Sequence, residues 1–233
     1  MRWHPGTDGG NRGPLHNKVD LALTVSIKRT LAVVWMVSAC GGEHPTAPSL
    51  TPWTELPPIS EQGKAYLKYT NIDFYSGVVT RWTNEEPPLV YAPHVSEQDQ
   101  ADAVAMLDSI TGGGITVRFV FSEAEANVVV NDVWPPASYV APSTCGLARV
   151  TKTVDNVIVR GEIDFNPRSP CVLDDGEHRR NILAHELGHV LGFREHTPGA
   201  TDIMSAVAPW KTSAVLMEVG RWLYKVPPGT KPI

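Results

Sequence analysis

The order of its segments predicts an α+β fold for this chain: a strand, a helix, three or four more strands, then two helices. Three observations carry that reading. Val104, Leu107 and Ile110 recur at helical spacing behind Ser96-Glu97-Gln98-Asp99, which has the spacing of a capping box. Ile115, Val117, Phe119 and Phe121 alternate with a period of two, the pattern of a half-buried strand. Residues 177–191 then offer Ile182, Leu183, Leu187, Val190 and Leu191 for burial on a second long helix.

Taken in order, residues 1–24 are rich in Gly, Pro and polar groups and show no periodicity. Lys28-Arg29 then precede an apolar run over residues 30–39 and Cys40. A basic patch, a short apolar run and small residues ahead of a cysteine make an export signal, too short to span a membrane. Val37-Ser38-Ala39-Cys40 resembles a bacterial lipobox, which implies that Cys40 is lipidated as the first residue of the mature chain. The anchored protein would face the periplasm or the extracellular space. The polar stretch ahead of the basic patch suggests that translation begins near Val25. Residues 41–61 are rich in Pro, Gly, Ser and Thr and read as a linker.

The folded part runs over residues 62–226, with 227–233 as a Pro-containing tail. Arg81-Trp82 followed by Pro88-Leu89-Val90-Tyr91-Ala92 gives the opening strand. The helix after Ser96 ends at Thr111-Gly112-Gly113-Gly114. Beyond the alternating strand, residues 127–132 carry Val128-Val129-Val130 and form a more buried one. Residues 146–152 and 157–165 flank Asp155-Asn156 and read as a hairpin. Residues 211–224 make the last helix.

Three cysteines less a lipidated Cys40 leave Cys145 and Cys171, an even pair in an oxidising compartment. Both fall near the open end of the hairpin, so a disulfide is expected, with two free core thiols or a thiolate that blocks a metal as the alternatives. The apolar content of 42% with 19% charge is that of a globular protein with a core. A net charge of -5 and the absence of any basic run argue against a nucleic-acid partner.

The chemistry lies between the hairpin and the last helix. His185-Glu186-Leu187-Gly188-His189 sets two histidines four residues apart on one helix face, where both imidazoles can reach one metal ion. Neutral imidazole suits zinc, which takes about four ligands in a tetrahedron. Glu186 stands beside such an ion rather than on it, placed to take a proton from a water whose pKa the metal lowers towards ~7. Gly192 lets the helix stop and the chain turn back, so that a third ligand can arrive from the returning segment. These residues read as a zinc hydrolase with one catalytic Zn2+.

With Gly192, a histidine beyond it and Met204 following in order, the run resembles the metzincin clan of zinc endopeptidases. Their pattern is HExxHxxGxxH followed by a methionine turn beneath the metal. One position departs. Three residues after Gly192 stands Glu195, and the histidine comes one later, at His196. Either the chain bulges by one residue and His196 binds, or Glu195 supplies a carboxylate oxygen. The run Phe193-Arg194-Glu195-His196 is similar to the Phe-x-His-Glu-His of astacin-like members with one residue lost. The spacing from His196 to Met204 resembles that of matrix metalloproteases, and both likenesses favour His196.

The resemblance covers residues 62–226 in layout. It implies a metzincin-like fold: a mostly parallel twisted sheet with an antiparallel edge strand, two helices plus a C-terminal helix, and a Met turn. It further implies that His185, His189 and His196 (or Glu195) hold zinc, that Glu186 is the catalytic base, and that Met204 forms an apolar floor without being a ligand. Substrate would pair as an extra strand with residues 146–150, and residues 206–209 would wall the pocket for the side chain after the cut. Asp202 either hydrogen-bonds a ligand imidazole or caps the Met turn.

The expectation is therefore a monomeric zinc metalloendopeptidase acting on protein or peptide substrates and held to a membrane by a lipid anchor. The alternative is a non-catalytic surface-anchored binding protein that keeps the fold; the shifted third ligand supports it and Glu186 speaks against it. A zinc hydrolase of non-peptide substrates would share the same chemistry at the metal. His16, His44, His94 and His178 read as linker or surface residues.

Overall fold

The computed structural model of the protein describes residues 56–70, 77–132, 144–166, 176–206 and 211–231. The stretch expected to be an export signal, Cys40, most of the expected linker, Cys171 and residues 207–210 lie outside them.

The first element, helix α1 (Glu61–Thr70), is one the sequence does not predict. It is short, and among its described side chains it buries only Tyr66 and Leu67 deeply, so its periodicity is weak. Its start is nonetheless specified locally: the Ser60 hydroxyl accepts the Gly63 N–H at 3.0 Å, Glu61 stands in the first turn and Lys68 in the last. Leu56 and Ile59, in the stretch that composition assigns to the linker, pack against the core.

Strand β1 (Leu89–Tyr91) leads into helix α2 (Glu97–Thr111). Ser96 caps that helix by accepting the Asp99 N–H at 3.1 Å, and Gly112 ends it at φ 63°. Strand β2 (Arg118–Val120) is shorter than its alternating pattern predicts. Ile115 and Val117 point inward, but Phe121 is 95% exposed because the chain leaves the sheet after Val120 and enters the 3-10 turn Glu123–Glu125. Strands β3 (Val128–Asn131), β4 (Gly146–Lys152) and β5 (Ile158–Phe165) follow, then helices α3 (Gly176–Val190) and α4 (Ala214–Leu223).

The sheet order is β2-β1-β3-β5-β4. β1 runs parallel to β2 and β3, β3 parallel to β5, and β4 closes one edge antiparallel to β5. The fold is therefore α+β with a mostly parallel sheet and one antiparallel edge pair, carrying four α-helices among the described residues where three are expected. The hairpin turns at Asn156, whose φ of 63° is one that Asn tolerates better than most residues.

Helix α3 is the centre of the core. Ile182, Leu183, Ala184, Leu187, Val190 and Leu191 are all buried, because the helix packs against α2, β4 and β5. Each large apolar side chain so removed from water contributes about 1.5–3 kcal/mol before entropy is counted. Helix α4 lies on α1 and α2. The tail also folds back: Thr230 and Gly229 exchange backbone hydrogen bonds with Val79, at 2.9 and 2.8 Å. Among the described residues no helix is long and apolar enough to cross a membrane.

Candidate metal centre

The C-terminal end of α3 sets the geometry. Phe193 N–H reaches the Gly188 carbonyl and Gly192 N–H the His189 carbonyl, both at 3.1 Å, with Gly192 at φ 114°. This is a Schellman closure, which satisfies carbonyls that a helix end leaves orphaned. Two more are taken from afar: Trp82 Nε1 donates to the Val190 carbonyl at 3.0 Å and the Tyr224 hydroxyl to that of Leu191 at 2.7 Å. The closure brings the Phe193 carbonyl to 2.5 Å from His189 Nδ1.

The chain then returns past Thr197. Thr197 N–H donates to the Met204 carbonyl at 3.0 Å, and Thr197 bridges Ser205. That bridge fixes the register of the returning segment. Thr197 turns inward, Glu195 is exposed, and His196 points at the other two histidines.

The three Nε2 atoms form a nearly equilateral triangle. His185 lies 3.1 Å from both His189 and His196, and His189 lies 3.3 Å from His196. Tetrahedral zinc with nitrogen ligands at 2.0–2.1 Å sets them about 3.3–3.4 Å apart, so these residues fit an ion of that size. The outer nitrogens are engaged as well. His185 Nδ1 is 2.5 Å from the Ile203 carbonyl, and His189 Nδ1 meets that of Phe193. An imidazole that donates through Nδ1 presents a bare lone pair at Nε2. Two such lone pairs, with a third nitrogen beside them, repel unless a cation stands among them.

Burial, complete or partial, lowers the pKa of all three rings. It pushes the His185 pKa down to about 4, aided by nearby His196 and opposed by the Ile203 carbonyl and Asp202. His189 is pushed well below its usual range by burial and then by the other two histidines, and His196 is lowered chiefly by burial. Glu186 moves the other way. Burial raises it to about 8, opposed by a hydrogen bond from the Ala148 N–H.

The Glu186 carboxyl rests on the edge strand. A Cβ at Gly146 would lie 2.5 Å from its Oε1, so only glycine leaves room there. The cleft has two compartments. One, of about 220 Å³, is lined by Val150, Arg194 and Glu195; the other, of about 230 Å³, by Ile182, Thr144 and Ala206.

Met204 is fully buried beneath α3, with its sulfur where a Cβ on Gly188 would have to go. The hydrogen bonds of the Asp202 carboxylate run to the Met turn and its neighbours. It caps the Met turn, its Oδ1 accepting the Met204 N–H at 2.9 Å. The Ile203 and Phe193 carbonyls, Trp82 and Tyr224 escape sequence reasoning; only the need of a buried Trp or Tyr for a polar partner signals the last two. His94 is exposed, 3.9 Å from Asp132 and away from the centre. Cys145 is disulfide-bonded, while its expected partner Cys171 lies outside the described residues.

No protein-family model matches this chain, and no curated protein matches it.

Proposed function

We propose that this protein is a zinc-dependent endopeptidase of the metzincin type. One observation carries the proposal: three imidazole Nε2 atoms converge at zinc-ligand spacing beside a buried carboxyl, at the open edge of a sheet. Zinc, when bound, would supply the Lewis acidity that activates water and polarises a carbonyl at neutral pH.

The chain's own residues supply the rest. Ile203 and Phe193 hold His185 and His189 in the tautomer that leaves Nε2 free to ligate. Glu186 takes a proton from water and passes it to the leaving nitrogen, with Ala148 N–H restraining its carboxylate. Asn166 N–H donates to the Cys145 carbonyl, which sets the phase of the β4–β5 ladder. Antiparallel pairs alternate, so the backbone groups of Gly146, Ala148 and Val150 face away from β5. These same residues line the cleft. An extended peptide added there would lie along the centre, its side chains falling into the two compartments. The export signal and lipobox would hold this activity at a membrane surface outside the cytoplasm.

The reading as a non-catalytic binding protein rested on the displaced histidine, and His196 nonetheless stands with the other two. The test is cleavage of a mixed peptide library by the whole chain, beside Glu186→Ala and with chelator. Cleavage lost in both is expected. Folded, zinc-loaded protein that cuts no peptide would defeat the proposal and return weight to the binding protein.

A further inference from the structure

Ile203 orients the first ligand, and the groups that hold Ile203 come from far along the chain. Its turn is closed by the Ser205 N–H on the Asp202 carbonyl at 3.0 Å and by the Met204 N–H on Asp202 Oδ1. Thr197 Oγ1 adds a longer contact to Oδ1 at 3.3 Å. Oδ2 accepts the Ser213 hydroxyl at 3.0 Å and the Tyr66 hydroxyl at 2.9 Å. Asp202 is only 1% exposed, so these donors take the place of water around its carboxylate. Tyr66 stands 136 residues earlier, on α1, a helix that otherwise packs on α4.

We infer that Tyr66 is a positioning residue for the metal centre: its hydroxyl fixes the Asp202 carboxylate, and Asp202 fixes the turn whose Ile203 carbonyl orients His185. The inference rests on the metal-centre reading above. A phenol donating to a buried carboxylate is a charge-assisted bond, among the stronger kinds. Its loss leaves Oδ2 with Ser213 as its one donor among the described residues, in a place closed to solvent. The carboxylate must then rotate or admit water, and either shift moves the Met204 N–H and the Ile203 carbonyl with it.

Partners that orient a ligating histidine are typically worth about 10–100-fold in metal affinity. Tyr66 acts one or two bonds further out, so Tyr66→Phe is expected to weaken zinc binding by about three- to tenfold. The measurement is zinc affinity of the whole chain by competition with a chromophoric chelator, with the absorption spectrum of the cobalt form as a second signature. In the metal-free protein, the downfield proton resonance of His185 Nδ1 should shift or broaden in Tyr66→Phe, a change that owes nothing to the ion.

Glu218→Ala is the comparison. It removes the acceptor for Ser60 at 2.8 and 2.6 Å, which ties the same N-terminal segment to α4, and leaves the Tyr66 contact alone. Its zinc affinity should match the wild type. Unchanged affinity and spectra in Tyr66→Phe would overturn the inference, as would equal weakening in both variants. A wild type that binds neither zinc nor cobalt would defeat the metal reading itself, and this inference with it.

Discussion

Gly146→Ala offers a test of Glu186 that leaves the carboxylate in place. Gly146 is not among the glycines with positive φ, so its backbone conformation alone does not require glycine. What requires it is space: an added Cβ would meet Glu186 Oε1 at 2.5 Å and its Cδ and Cγ at 2.8 Å. Comfortable contact begins near ~3.5 Å, so the carboxyl must retreat by about 1 Å or the strand must move by as much. A displacement of about 1 Å in a reacting group can cost ~100-fold, equivalent to about 2.7 kcal/mol in the barrier. The expected result is a fall of that order in kcat/KM on a peptide cut by the wild type, with zinc affinity unchanged. Overpacking should also destabilise the fold by about 1–3 kcal/mol. That penalty should largely vanish in the Glu186→Ala background, where nothing remains to clash, so a denaturation cycle over the four proteins isolates the contact. Activity within a few-fold of wild type, or a penalty that persists without Glu186, would refute the placement of this carboxyl against β4.

Zinc binding at pH 7 should release close to one proton, measured by calorimetry in buffers of differing ionisation enthalpy. Burial pushes metal-free Glu186 to about 8, so roughly nine-tenths of it is protonated at pH 7, and an adjacent dication favours the carboxylate. The three histidines sit below their usual range and contribute little. Glu186→Gln should reduce the release to the part that ionisation of a metal-bound water supplies; a release as large as that of the wild type would refute the assignment. By the same shift, metal-free protein should lose the stability contributed by protonated Glu186 as pH rises from the ordinary carboxylate range to about 8. His196→Ala should weaken zinc binding by more than ~100-fold, whereas Glu195→Ala should change it less than about threefold. Chelator competition decides between them, and the reverse order would restore Glu195 as the third ligand.

What the sequence shows of this protein is what local rules decide. The cap at Ser96, the stop at Gly112, the turn at Asn156 and the two histidines on one face of α3 each depend on residues within a turn or two. The rest depends on distant partners. That His196 rather than Glu195 stands beside the other two histidines follows from the pairing of Thr197 with Ser205, which counting from Gly192 does not reveal. Asp202 could have served an imidazole or the turn; donors from α1, from the returning segment and from the cap of α4 decide for the turn. Helix α1 escapes notice because it contributes few core side chains, and Phe121 misleads because its alternating pattern continues past the end of the strand.

The dimensions of the centre follow from three glycines, each standing where a side chain would hold two elements apart. Gly146 lets Glu186 lie on the edge strand, Gly188 admits the Met204 sulfur to within 2.5 Å of its missing Cβ, and Gly192 brings the turn within the same distance of the Thr80 carbonyl. Only Gly192 is also needed for its φ. Glycine inside a helix costs about 1 kcal/mol relative to alanine, so Gly188 is unfavourable for α3 taken alone. The close packing it permits is between the helix that carries His185 and His189 and the turn whose Ile203 carbonyl orients His185. A methyl group at Gly188 would therefore act through that turn, and one at Gly146 through Glu186. The first should appear in metal affinity and the second in turnover, so the two substitutions separate assembly of the centre from its use.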